Sequence, residues 1–283
     1  MVKKIFLFSL IFGFVFSAAP VFATPAFLGM SLSTAGTNRT LMLPASADNS
    51  PVISLGSAVD PGTGKVVQGY AIVHYAKPDG AGGGKGGGTT SSTCFGFLAK
   101  GAKWKTVEPW VVNTANTRNL DGAFVFSNLV ADVEKWEDAA DGTVGDTAFV
   151  NILGDGAATA AALVADTSAP DNVNEVYFAD IANSNAIAVT IVWGYFGGPP
   201  FARELVEWDM IFDDTTFDWS ATGEAGKMDF ENIATHELGH SVGLADLYEA
   251  YCGEETMYGY AANGETKKQT LAAGDIAGVS ALY

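Results

Sequence analysis

Residues 236–246 read His-Glu-Leu-Gly-His-Ser-Val-Gly-Leu-Ala-Asp, and these residue types at this spacing define a chemistry. On a helix His236 and His240 stand one turn apart on the same face, so their imidazoles can converge on one metal ion with Glu237 beside them. A catalytic zinc needs three protein ligands and one open position. The third ligand must come from beyond the helix. Gly243 supplies the stop, since a residue without Cβ can take the left-handed conformation that turns a chain back. Asp246 then falls three residues on, within reach of the same ion. The only other histidine is His74, so no downstream histidine competes for the third place. A carboxylate is an acceptable zinc ligand, although it neutralises part of the ion's charge and depresses the pKa of bound water less than a third imidazole would.

Several elements must position these groups. Asp229 offers an N-cap to a helix predicted over 230–242. Upstream, Phe124, Leu129, Val133 and Trp136 recur at helical spacing and predict a long amphipathic helix over 120–140. Trp110-Val111-Val112-Asn113 reads as a strand, as do the short β-branched or aromatic runs at 149–153, 175–179 and 186–193. Residues 205–213 alternate, with Val206, Trp208, Met210 and Phe212 on one face and mostly acids on the other. An earlier strand is expected over 65–76, around Tyr70-Ala71-Ile72-Val73-His74-Tyr75. His74 is read there as an ordinary strand side chain, because no partner ligands lie near it in sequence. Residues 79–93 are dominated by Gly, Lys, Thr and Ser with almost nothing to bury, which marks a flexible linker and a candidate processing site. No internal repeat is apparent.

The pattern HExxHxxGxxD resembles the metzincin clan of zinc endopeptidases, whose usual third ligand is His and whose snapalysin-type members carry Asp there. Glu255-Thr256-Met257-Tyr258-Gly259-Tyr260 looks like the metzincin Met-turn, a tight turn that sets a methionine, here Met257, beneath the zinc. The run from Gly274 and Asp275 to Tyr283 is similar to the closing helix of matrixin-type catalytic domains. The resemblance is strong from the zinc helix onward and extends through vaguer patterns back to about Cys94. It implies an α+β fold, with a mixed twisted sheet, a long helix, the zinc helix, the Met-turn and a C-terminal helix. It further implies a zinc metalloendopeptidase with Zn2+ on His236, His240 and Asp246 and Glu237 as general base. The strand at 205–213 would border the cleft and pair with extended substrate. Two features depart from the pattern. Three histidines leave none for the second, structural zinc common in matrixins. The place where some metzincins carry a zinc-contacting tyrosine, two residues after the Met, is Gly259, flanked by Tyr258 and Tyr260.

Lys3 and Lys4 precede an apolar run over 5–16 and small residues up to Ala23, which reads as a removable signal peptide over 1–23 and a secreted, extracellular protein. The run is too short for an ordinary membrane-spanning helix, so no stable membrane insertion is expected. Residues 24–78 read as a propeptide or a β-rich N-terminal extension, 79–93 as the linker and 94–283 as the catalytic domain. Losing a signal with two lysines and no acids takes the formal net charge from −17 to −19, a surface that repels nucleic acid. The expected partner is a protein or peptide substrate, and the expected state a monomer. Scattered acids serve solubility. Gly154-Asp155-Gly156 and the stretch 166–172 can also offer oxygen ligands to a structural Ca2+, without any EF-hand spacing. Two cysteines in an exported chain suggest a disulfide, Cys94 to Cys252; a Cys94 thiolate held on the zinc of a precursor, or free thiols, are the alternatives. Two rival functions stand beside peptidase activity. One is a non-catalytic surface protein keeping zinc for stability, against which Glu237 argues, since a structural zinc needs no acid/base carboxylate. The other is a zinc hydrolase of a non-protein amide.

Overall fold

Strands that are buried on both faces usually carry apolar side chains at nearly every position; one central run of this chain, 186–195, does so, and its neighbour, 204–213, is buried although four of its ten residues are acids. In the computed structural model, which describes residues 39–44, 50–77 and 90–283, they form β7 (Ala186–Tyr195) and β8 (Glu204–Asp213) at the middle of a mixed sheet. Before them come β1 (Thr40–Leu41), β2 (Val52–Val59), β3 (Val66–Ala76), β4 (Trp110–Asn113), α1 (Gly122–Ala139), β5 (Gly156–Ala158) and β6 (Asn174–Ile181). After them come the short pair β9 (Trp219–Ser220) and β10 (Met228–Asp229), then α2 (Phe230–Ser241), β11 (Tyr260–Ala261) and α3 (Ala273–Ser280). The expected signal segment and most of the Gly-rich linker lie outside the described residues.

The main sheet runs β11-β3-β7-β8-β6-β4-β5, with β1 added to β6 and β2 to β3. Strands β5, β4, β6 and β8 are mutually parallel; β7 is antiparallel to β8, and β3 is antiparallel to β7. The predicted α+β class with a mixed sheet, a long helix and a C-terminal helix is the observed one. Strand β8 hydrogen-bonds to β6 on one side and β7 on the other. It therefore has no free edge, and the cleft-edge role expected for 205–213 does not belong to it. The strand of the N-terminal segment, β3, fills the far side of β7 over a long register, from Gln68 opposite Gly194 to Tyr75 opposite Ala186.

The sheet separates two apolar clusters. Toward the helices, Trp208, Met210 and Phe212 of β8 meet Leu129, Val133 and Trp136 of α1 and Phe230, Ile233 and Leu238 of α2. On the other face, Val67, Ala71 and Val73 of β3 pack with Val189, Ile191 and Trp193 of β7. The alternate side chains of β8 are acids, yet Glu207, Asp209 and Asp213 are buried too. Their carboxylates accept backbone N–H groups of neighbouring loops: Asp209 from Asp166 at 2.8 Å, Asp213 from Thr216 at 2.6 Å, and Glu207 from Asn172. Buried acids thus replace a ladder of backbone partners that irregular segments lack.

Two sequence expectations change in detail. The helix over 120–140 is observed as α1, with Asp121 as its N-cap accepting from Phe124 N at 2.9 Å. Residues 149–153 do not form a strand. Glu137 Oε1 of α1 accepts the N–H groups of Ile152 and Leu153 at 2.6 and 2.9 Å, so this backbone is tied to a helix side chain, and the ladder position beside β4 goes to β5.

Cys94 and Cys252 are joined by a disulfide across a sequence separation of 158 residues. The bond fixes the first residues after the linker to the loop following α2. Replacing both cysteines by serine should lower stability by about 2–4 kcal/mol, because a long loop is released in the unfolded chain. Thermal melting of oxidised wild type against the double variant checks this, and equal midpoints would contradict it.

Candidate metal centre

Helix α2 starts where its cap is strongest. Asp229 accepts from Asn232 N at 2.9 Å and from Gly223 N at 2.8 Å, which fixes both the first turn and the loop leading into it. Trp136 of α1 donates its indole N–H to Thr235 O at 2.8 Å and clamps the next turn. His236 and His240 then project from one face, with ring centroids 4.9 Å apart. The helix ends at Gly243, whose φ of +108° lies in the region that favours glycine. Leu244 N closes on Gly239 O at 2.9 Å, and the reversed chain pairs with the Met257 turn through Leu247 N to Met257 O at 2.8 Å. This brings Asp246 Oδ1 to 3.1 Å from His236 Nε2 and 3.5 Å from His240 Nε2.

The hydrogen bonds of the two rings decide which nitrogen faces the carboxylate. His236 Nδ1 donates to Thr256 O at 2.7 Å and His240 Nδ1 donates to Leu244 O at 2.9 Å. Carbonyls only accept, so each Nδ1 carries the proton and each Nε2 presents a lone pair. Among the described residues, both Nε2 atoms and Asp246 Oδ1 are buried without a hydrogen-bond partner. Three buried acceptors pointed at one another are costly in a folded protein unless a cation joins them. The group His236, His240 and Asp246 could hold a metal ion, and its two-imidazole, one-carboxylate chemistry fits zinc. Burial opposes charge on His240, but the Asp246 carboxylate outweighs it and raises the His240 pKa, so without a cation the pair shares charge, whereas the other two groups are biased toward their donor forms. Burial, with help from the Lys268 ammonium, pushes the His236 pKa down to about 3. For Asp246, burial works toward protonation, but the adjacent His240 and His236 outweigh it and hold its carboxyl well below the usual range.

Glu237 is fully buried, and both of its oxygens are engaged. Oε2 accepts from Thr190 Oγ1 of β7 at 2.6 Å, and Oε1 lies 3.0 Å from His74 Nδ1 of β3. The other nitrogen of His74, Nε2, is 3.1 Å from Lys268 Nζ. Lys268 donates to the His74 Nε2 lone pair and to Tyr258 O, and His74 donates in turn to Glu237. Burial raises the Glu237 pKa to about 7 and lowers that of Lys268 to about 8. The His74 pKa is held well below its usual value, first by burial and then by its neighbours His236 and Lys268.

The turn at Met257 is set from below by two acids. Asp275 of α3 accepts from Thr256 N at 2.7 Å and Met257 N at 3.1 Å, while Glu255 accepts from Ser91 N and Gly274 N. The same Thr256 orients His236 through its carbonyl, so the turn and the metal helix are locked together. Neither Tyr258 nor Tyr260 bonds to Asp246. The tyrosine there is Tyr248, whose hydroxyl donates to Asp246 Oδ2 at 2.9 Å and whose ring stands edge-on to Tyr260.

Residues 175–283 match the Matrixin family of peptidases. This part of the chain resembles a matrixin domain. The match runs from β6 through α3 and contains the whole His236, Glu237, His240, Asp246 and Met257 set, whereas β3 and His74 lie outside it. No curated protein matches the chain. Among the described residues no helix is long and apolar enough to cross a membrane. Sequence reasoning missed three residues of the matrixin-like site: His74, Thr190 and Lys268. Each comes from a different element, and nothing in local spacing marks a strand threonine, a strand histidine or one lysine of a pair as buried against Glu237.

Gly239, between the two histidines, shows how tightly the site is built. A Cβ there would lie 2.2 Å from Met257 Sδ and 2.8 Å from the Trp136 ring. Helix propensity alone favours Gly→Ala by about 1 kcal/mol. Overpacking reverses that sign, and Gly239→Ala should destabilise by about 1–3 kcal/mol. A raised melting temperature would show that Met257 and Trp136 give way freely.

Proposed function

We propose that this protein is a secreted zinc-dependent endopeptidase. The observation that carries the reading is the convergence of His236 Nε2, His240 Nε2 and Asp246 Oδ1, all buried and unpartnered, one residue from a carboxylate of raised pKa. Zinc bound by these three residues would polarise a scissile carbonyl and acidify a water molecule. Glu237 takes the proton from that water and passes it to the leaving amine. A general base works best when its pKa lies near the operating pH, and burial moves the Glu237 carboxyl in that direction. Asp246, His236 and His240 keep their geometry through the bonds to Tyr248, Thr256 and Leu244 described above, the outer support that metal ligands require. Thr190 orients the Glu237 carboxylate from β7. The oxidised cysteine pair supports export, since such bonds persist outside the reducing cytosol. Protein or peptide is the substrate in this reading, and the chain works as a monomer.

Metal analysis and casein digestion on the same preparations test it, with the protein assayed intact and after cutting within the Gly-rich stretch. Glu237→Gln should keep zinc and lose activity by about 10²–10⁴-fold. Asp246→Ala should release zinc to a competing chelator far more readily than wild type, with Asp246→Asn between them. A zinc-loaded wild type that cleaves neither casein nor peptides in either form would sink the peptidase assignment. An alanine variant holding zinc as firmly as wild type would sink the ligand assignment.

A structural Ca2+ belongs to the same proposal. Asp166, Glu207 and Asp209 bring carboxylate oxygens within 4.8 Å of one another on the face of β8 away from the helices. Glu207 Oε1 is buried and unpartnered, and burial beside Asp209 drives the Glu207 pKa up to about 10. A hard divalent cation with oxygen preference relieves that repulsion. Adding calcium to the zinc-loaded protein should raise its melting temperature, and Glu207→Gln should abolish most of the rise. An unchanged midpoint in wild type would remove calcium from the account.

A further inference from the structure

Helix α1 carries a row of residues that the metal centre does not use. Phe126, Val130, Glu134 and Asp138 recur every four positions, so they lie along one stripe of the helix, apolar at its start and acidic at its end. The stripe lines a cleft of about 970 Å³, and the rest of the lining comes from Trp110 of β4, other side chains of α1 and the segment 145–156. None of His236, His240 and Asp246 lines it. The segment is tied down, so the cleft is already formed: Gly145 N donates to Asp138 Oδ2 at 2.7 Å and Val150 N to Glu137 O at 3.1 Å, beside the Glu137 bonds to Ile152 and Leu153 described above.

Three independent features point to what the cleft can hold. Phe149, in the same lining as Phe126 and Val130, is 65% exposed, an aromatic ring left to water. Glu134, Asp138, Asp146 and Asp155 add four acids, and none of them forms an ion pair among the described residues. The cation of the lining, Lys135, is held by Asp132, Glu231 and the carbonyl of Gln269, so it neutralises none of the four. Finally, β5 ends the sheet order, and its outer edge pairs with no strand among the described residues. Gly154, Asp155 and Gly156, where β5 begins, line the cleft. A free strand edge is where an extended peptide adds, with backbone hydrogen bonds giving affinity and alternate side chains giving selectivity.

The charge of the cleft decides between occupants. A second copy of this chain, with a formal net charge of −17, is repelled, whereas a basic segment is attracted. We propose that the cleft is a docking site for an extended segment of another protein in which bulky apolar residues alternate with lysine or arginine, added to the edge of β5. Its apolar residues cover Phe126, Val130 and Phe149, and its cations meet Glu134, Asp138, Asp146 and Asp155. The site lies within 110–156, ahead of the Matrixin match that begins at 175, and it does not depend on the peptidase reading.

The test titrates the full zinc-loaded chain, carrying Glu237→Gln so that the probe is not consumed, into a short fluorescein-labelled peptide alternating Val with Lys. Fluorescence anisotropy reads binding. The peptide should bind, more weakly as salt is raised, and its counterpart with Glu for every Lys should not. Glu134→Gln combined with Asp155→Asn should weaken binding by about tenfold, and Phe149→Ser by a similar factor. All three side chains are exposed and neither carboxylate accepts a hydrogen bond among the described residues, so melting temperatures should stay at the parent value. Removing zinc with a chelator should leave the affinity unchanged. Equal binding of the two peptides, or variants that bind as tightly as the parent, overturns the proposal. Affinity lost with the zinc returns the peptide to the metal centre and overturns it as well. A dimer in analytical ultracentrifugation that Phe149→Ser dissolves gives the cleft to a second copy instead.

Discussion

Everything around the metal centre follows from the cost of burying three acceptors that face one another. Each imidazole must donate its Nδ1–H to a fixed carbonyl for its Nε2 lone pair to face Asp246, and those carbonyls must come from backbone that cannot drift. Thr256 O is fixed because Asp275 holds the amides of Thr256 and Met257; Leu244 O is fixed because Leu244 N closes the end of α2 on Gly239. The Met257 turn, the reversal at Gly243 and the docking of α3 are thus parts of one device for keeping lone pairs pointed inward. Gly239 has no Cβ because Met257 and Trp136 already fill the space such an atom would need.

The sequence made the convergence of His236, His240 and Asp246 and the class of fold readable for a physical reason. The metal helix, its cap and its stop depend on contacts a few residues apart, and a pattern of period 3.6 reports them directly. Asp229, His236, His240, Gly243 and Asp246 could therefore be named with their roles, and α1 could be bounded to within two residues. What could not be read is long-range pairing. The run at 149–153 has the composition of a strand, but a glutamate on α1 takes its amides. The acids of β8 alternate as on a solvated face, but irregular loops cover them. His74 is an unremarkable strand residue until β3 is set against β7, and the tyrosine that reaches Asp246 is Tyr248, which lies on the exposed loop just beyond the ligand and outside the Met257 turn.

Acidic side chains here act as substitutes for secondary structure. Asp213 gathers the amides of a turn, Asp209 and Glu207 gather those of the segment between β5 and β6, and Glu137 gathers two from the loop after α1. Each is a buried acid that accepts at least one backbone donor. The strongly negative formal charge of the chain therefore overstates how much of that charge is displayed to solvent.

The position of β3 also has a consequence in time. A chain leaves the ribosome from its N-terminus, and early segments wait for later ones. Strand β3 is made long before β7, β7 before α2, α2 before the Met257 turn, and α3, whose Asp275 holds that turn, last. When the final ligand-orienting carbonyl is in place, the strand that covers Glu237 has already been available for pairing throughout. A newly made molecule can therefore bring His236, His240 and Asp246 together with β3 already paired to β7.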